Sequence, residues 1–220
     1  MNSSTARERI LARLHASGTH QTNVPEASLP QVSSLDRNAK IERLAALMTA
    51  IRTEVHVVEA DGWLDKLKAL AREKKWQGLL YGPGGPLAPA IEAAWSENGG
   101  DLPKLRTYEG AVETFKPDLF QIDAGITSAR GGVADTGAVV LWPTVQEPRL
   151  LSLVPPVHVA VLDADTIYNS LSEMMAAERW AEGMPTNALL ISGPSKTADI
   201  EFTLVFGVHG PKELVLIIRK

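Results

Sequence analysis

The sequence predicts an α/β fold built on a mostly parallel sheet, preceded by an N-terminal helical arm. Two observations predict the sheet. VHVV (55–58), GLLYG (78–82), GAVVLW (137–142), VHVAVLD (157–163), NALLIS (187–192) and ELVLIIR (213–219) are apolar, mostly β-branched runs. Runs without polar alternation read as strands buried on both faces. Amphipathic segments at 63–75, 86–98 and 165–183 alternate with them, as crossover helices do in parallel sheets. The arm rests on a third observation: SGTHQTNVPEASLPQVSSL (17–35) is rich in Ser, Thr and Pro with little apolar pattern, and reads as a flexible connector.

The elements follow in order. Thr5 and Glu8 have capping-box spacing, and Ile10, Leu11 and Leu14 share one helical face, which predicts a helix over 5–16. Asp36 is placed to cap a second helix whose apolar face carries Ile41, Leu44, Met48 and Ile51. Residues 1–52 are thus expected as the arm and 53–220 as the α/β domain. An isolated helix of about 12 residues is marginal in water, so the arm should dock on the core or on a partner. GLLYG stops at Pro-Gly-Gly, and Gly99 reads as the C′ residue of the helix at 86–98. KLRTYE (104–109) reads as a strand, and PDLF (117–120) as the start of a short helix or turn. Ligands in parallel sheets usually bind at the carboxyl ends of the strands. On that rule YGPGGP and ISGPSKTADIE (191–201), each following a strand, should reach one common rim.

Composition narrows the function. The 220 residues are 45% hydrophobic and 22% charged, with a formal net charge of −4. That balance argues against a nucleic-acid binder driven by phosphate neutralisation. There is no cysteine, which excludes disulfides, thiolate nucleophiles and cysteine-ligated zinc or iron–sulfur clusters in this chain. No run approaches the roughly 18–20 apolar residues of a membrane span, and the N-terminus has no signal-peptide core. A cytoplasmic protein is expected.

Four stretches carry side chains suited to binding. In SGPSKTADIE, Gly193-Pro194 ends a strand, and Ser195 or Thr197 would then cap a helical turn whose free amides favour an anion. Lys196 adds a donor, while Asp199 and Glu201 share one face and suit acid–base work or ion pairing. In GVADTGAVVLW, Asp135, Thr136 and Gly137 read either as a hairpin turn or as a ligand contact. A P-loop is excluded there because Ala138 stands where the lysine belongs. In EPRLLSLVPPVHV, Arg149 suits a carboxylate clamp, and His158 opens a strand. In GVHGPKEL, His209 between two glycines reads as an exposed-loop histidine. The five histidines show no metal-ligand spacing. A serine hydrolase lacks its G-x-S-x-G elbow, and a dinucleotide site lacks G-x-G-x-x-G.

GITSARGGVADTGAVVLW, RLLSLVPPVHVAVLD and GPSKTADIEFTLVFGVHGPKELVLII, in this order, closely resemble the lactate-utilisation protein C family, whose domain is called LUD. The resemblance implies a three-layer α/β/α Rossmann-like domain, similar to the NagB, ribose-5-phosphate isomerase and CoA-transferase group. It implies a place in a three-protein system that oxidises L-lactate to pyruvate. Iron–sulfur clusters are then expected on cysteine-rich partner subunits, with no cofactor in this chain. The blocks imply a ligand rim for a small anion made of Asp135, Thr136, Gly137, Arg149, His158, Gly193, Ser195, Thr197, Asp199, Glu201 and His209, without catalytic roles among them. Two other readings stay open: a free-standing ligase or transferase acting on a phosphorylated, CoA-linked or folate substrate, and a structural or regulatory module without ligand.

Overall fold

The computed structural model describes residues 3–16, 34–97, 100–107, 119, 121–198 and 204–220. The chain divides into two compact units, Met1–Gln31 and Val32–Lys220. The first contains helix α1 (Ser3–Ala16), with Ile10, Leu11 and Leu14 exposed. Its bounds differ from the expected capping box: Thr5 lies inside the helix, where its carbonyl accepts from Arg9 Nε.

The second unit is built on a six-stranded parallel sheet. Its strands are β1 (Glu54–Val58), β2 (Gly78–Tyr81), β3 (Lys104–Thr107), β4 (Ala124–Ser128), β7 (Val157–Asp163) and β12 (Glu213–Arg219), in the order β1-β12-β7-β4-β2-β3. Every pairing in it is parallel. Side-chain alternation along β12 and β7 divides the core in two. Val215, Ile217, Val157, Val159 and Val161 face α3 (Trp63–Glu73) and α4 (Ala88–Ser96). Leu214, Leu216, Ile218, Ala160 and Leu162 face the opposite way. On the first face α3 buries Trp63, Leu67, Leu70 and Ala71. Each large apolar side chain so buried contributes about 1.5–3 kcal/mol.

The opposite face is covered by α2 (Arg37–Ala50) and a second sheet. Asp36 caps α2 as its sequence indicates, accepting from Ala39 N at 2.9 Å. Ile41, Leu44 and Met48 enter the core beside Leu216 and Ile218. Helix α2 therefore belongs to the sheet's unit, whereas sequence alone grouped it with the arm. The second sheet has the order β8-β5-β6-β9 and comprises β5 (Gly131–Val133), β6 (Ala138–Leu141), β8 (Ile167–Tyr168) and β9 (Leu189–Ile191). This is an α/β fold of three layers: α3 and α4, the parallel sheet, then α2 with the small sheet.

Two apolar runs thus sit elsewhere than in the parallel sheet. GAVVLW becomes β6, antiparallel to β5, and NALLIS becomes β9, antiparallel to β6. Strand β6 is buried on both faces, Val139 toward the large sheet and Val140 beside Met174 and Trp180, so polar alternation is lost without parallel pairing; β9 is only partly buried, with Leu190 exposed. The helix expected over 165–183 is broken up. A 3-10 turn (Ala164–Thr166), β8, helix α6 (Leu171–Ala177) and a second 3-10 turn (Trp180–Glu182) replace it. Ser170 caps α6 by accepting from Glu173 N, and Asn169 N donates to Glu173 Oε2 at 2.7 Å, which ends β8 and restarts the helix. Most of PDLF, and Gly99, lie outside the described residues.

Candidate functional site

The cleft forms where three segments meet over the amino ends of β7 and β12. His158 is the second residue of β7 and Leu214 the second of β12, and the two are register partners. Both point to the α2 side of the sheet. Helix α5 (Leu150–Leu153) supplies one wall through Ser152 and Leu153. It reaches the sheet because β4 carries glycine at 125: a Cβ there would overlap the Leu151 carbonyl oxygen and lie 2.8 Å from Pro155 Cγ. The other wall is the segment from Ile191 to Ser195, and the turn at His209–Pro211 closes the end. Main-chain hydrogen bonds fasten these pieces. Ser195 N donates to Pro211 O at 2.9 Å, Gly207 N to Ser195 O at 2.9 Å, and Lys212 N to Pro156 O at 2.8 Å. Thr53 Oγ1 donates to Ser192 O at 3.1 Å, tying the wall to the end of α2.

The cleft, partly open to solvent, offers a space of about 180 Å³. His158 lies beneath it, 0% exposed. Its Nε2 is 2.9 Å from Thr127 Oγ1 on the neighbouring strand β4. Its Nδ1 has no hydrogen-bond partner among the described residues. Burial drives the imidazole pKa down to about 3, so the ring is neutral at ordinary pH. A buried polar nitrogen left unpaired costs about 1–3 kcal/mol, and such a cost calls for an explanation in what the site binds.

A second polar cluster lies at the carboxyl ends of β2 and β4. Glu147 is 8% exposed. Its carboxylate accepts from Ser128 N at 3.1 Å and from Ser128 Oγ at 2.5 Å. Desolvation raises its pKa, against the lowering effect of the two Ser128 bonds. The turn after β2 closes on it: a Cβ on Gly82 would overlap Gln146 O, and one on Gly85 would meet Glu147 Oε1 at 3.2 Å. The space left beside Thr127, Ser128, Glu147 and Arg149 is about 10 Å³, enough for about one water.

A family model for the LUD domain matches residues 41–218. The chain belongs to the LUD domain family. An uncharacterised protein of Neisseria meningitidis serogroup B is 36% identical over 219 residues, covering 97% of this chain and 93% of the relative. A protein of Bacillus mycoides named lactate utilization protein C 1 is 36% identical over 196 residues, covering 86% of this chain and 84% of the relative. The crystal structure of a DUF162 family protein from Deinococcus radiodurans aligns with a TM-score of 0.57 at 22% identity, covering 85% of this chain and all of that one. That last likeness is one of fold.

Within this LUD domain the residues singled out by sequence fall into separate places. His158, Gly193, Ser195 and His209 come together around the cleft. Arg149 precedes α5, is exposed, and borders the small space beside Glu147 instead. Asp135, Thr136 and Gly137 lie on the turn joining β5 to β6. Asp135 N donates to Asn169 O, and Gly137, with φ of 65°, abuts Leu47 of α2, so the turn serves hairpin and packing. Thr197 is in β10 (Lys196–Ala198), paired with Val205 of β11 (Leu204–Phe206). Asp199 and Glu201 lie outside the described residues.

Two expectations about this region need correction. The anion-binding helical turn after Pro194 is a β-hairpin arm: residues 196–198 pair with 204–206, and the Ser195 amide is spent on Pro211 O. The common rim at the carboxyl ends also fails. YGPGGP does follow β2 to that end, but ISGPSKT leaves the small sheet and passes the amino ends of β7 and β12. The sequence reading did not single out Thr127, Ser152 or Glu147. Serine and threonine in apolar strands and helices signal little, and Glu147 in TVQEPR has the composition of a solvated loop.

Proposed function

We propose that this LUD domain is a non-redox component of a system that oxidises L-lactate to pyruvate. It works beside iron–sulfur subunits and binds a small ligand in the cleft over His158. The observation that carries the reading is the relative named lactate utilization protein C 1, matched at 36% identity over 84% of its length. The chain has no cysteine and so no thiolate with which to ligate a cluster. Electron transfer accordingly belongs to partners. The cleft supports a ligand-binding role, because it combines open space with a buried ring nitrogen that lacks a partner. The exposed Ile10, Leu11 and Leu14 of α1 give the arm an apolar stripe suited to a partner subunit.

The sequence reading took the ligand to be a small anion. Among the described residues no Lys or Arg lines the cleft, and His158 stays neutral. Growth on L-lactate as sole carbon source tests the role. Cells lacking the protein should fail to grow on L-lactate and grow normally on pyruvate. The wild-type gene should restore growth, and Ser195→Leu, which fills the cleft, should not. Normal growth of the deletion strain on L-lactate would remove the protein from that system.

A further inference from the structure

We infer that the cleft over His158 selects an uncharged small molecule with an apolar body and a carbonyl or hydroxyl at one edge. This rests on the reading of the cleft as the ligand site and names the chemistry of its occupant.

The lining carries the argument. Leu153, Ile191, Pro194, Pro211 and Leu214 present apolar surface. Among the described residues no Lys, Arg, Asp or Glu lines the cleft, and Lys196 and Lys212, near it in sequence, are exposed and outside the lining. A carboxylate or phosphate moved into such surroundings would give up part of its hydration without a Lys or Arg to pair with, an unfavourable exchange. An apolar body loses nothing by the transfer and gains from burial.

His158 defines the polar edge. Nε2 is engaged by Thr127, which does not line the cleft, and this leaves Nδ1 as the ring nitrogen for a ligand. A neutral imidazole has one donor and one acceptor nitrogen. The Thr127 hydroxyl accommodates either tautomer. When Thr127 donates to Nε2, Nδ1–H donates to a ligand carbonyl; when Thr127 accepts, Nδ1 accepts from a ligand hydroxyl. Ser195 offers a second hydroxyl on the wall. A volume of about 180 Å³ is below the 300–1,000 Å³ or so of sites for drug-sized ligands. The occupant is therefore a small molecule or the end of a longer one.

Matched pairs that differ in charge test this. Full-length protein labelled with ¹⁵N at histidine is titrated with benzamide against benzoate, methyl pyruvate against pyruvate, and L-lactamide against L-lactate. Long-range ¹H–¹⁵N spectra report both ring nitrogens of His158. The expected result is that at least one uncharged member moves the Nδ1 resonance and binds at least tenfold tighter than its anion. Ser195→Leu should abolish the shift while leaving the rest of the spectrum in place, and His158→Leu should abolish binding if it folds. Stronger shifts from the anions would overturn the ligand class and leave the cleft as the site. No shift at His158 from any member would overturn both the class and the cleft.

Discussion

The parallel sheet buries a titratable group near each end, and the two are treated differently. At the amino end His158 has an open space above it and one nitrogen without a partner. At the carboxyl end Glu147 receives the amide and hydroxyl of Ser128, and glycines at 82 and 85 let the preceding turn close around it. Burial disfavours the charged form of each, lowering the histidine pKa and raising the carboxyl pKa. What separates them is the hydrogen bonding left over and the room beside it. Glu147 is spent on holding a loop to β4, with space for about one water. The cleft over His158 has both unspent bonding and volume. A shifted pKa by itself marks burial; a shifted pKa beside unused bonding capacity and space marks a candidate site.

The largest expected effect breaks the wall that makes the cleft. Gly125→Ala places a Cβ against the Leu151 carbonyl and should destabilise the protein by about 3 kcal/mol, by overpacking against main chain. Urea unfolding measures this, and ligand binding at the cleft should weaken as α5 shifts. Next is the acid limb of stability. The folded state keeps His158 neutral with a pKa of about 3, against 6.5 for the free side chain. The unfolded state therefore binds more protons below pH 6.5, and the stability contribution is lost as pH falls from 6.5 toward 3. His158→Leu should remove this loss. The difference in unfolding free energy between variant and wild type should move in the variant's favour by about 2 kcal/mol between pH 7.5 and pH 5.

Thr127→Val should cost about 1–2 kcal/mol by leaving Nε2 as well as Nδ1 unpaired, read by the same unfolding curves at pH 7.5. Glu147 should show the opposite pH sign. Its raised pKa gives stability that is full below pH 4.5 and lost as pH rises through the folded value. Glu147→Gln, which keeps an acceptor for Ser128, should flatten that limb, and cleft binding should not change. The smallest effect is expected from Arg149→Ala. This side chain is exposed and outside the cleft, so stability should stay within about 0.5 kcal/mol and cleft binding should be unaltered. Loss of binding in that variant would reunite the two regions into one site.

Much of the central sheet was legible, because β1, β2, β7 and β12 are short apolar runs and α3 has a clean amphipathic face; β4, between β7 and β2, was not, because AGITS is short and carries Gly, Thr and Ser. The capping of α2 by Asp36 was legible for a local reason: its bond to Ala39 lies within one helical turn. The small sheet was not legible as such. Strand β6 reads like β7 because both are buried on two faces, and what distinguishes them is pairing direction, a non-local property. The clue was the Asp-Thr-Gly turn, which makes the β5–β6 hairpin. The same ambiguity moved the cleft to the wrong end of the sheet. His158, Gly193, Ser195 and His209 were identifiable as residues. Their meeting place depends on β9 lying in the second sheet, and Thr127 and Glu147 acquire their roles only from neighbours far along the chain.

The most direct test follows the ¹⁵N resonances of His158 in the free protein from pH 8 to pH 4.5. The ring should stay neutral throughout, with no titration step in that range and with the Thr127→Val variant changing the tautomer balance. A step near pH 6.5 would mean that the ring is hydrated and charged in the folded state. It would contradict the claim that an uncharged histidine with one free nitrogen defines the site.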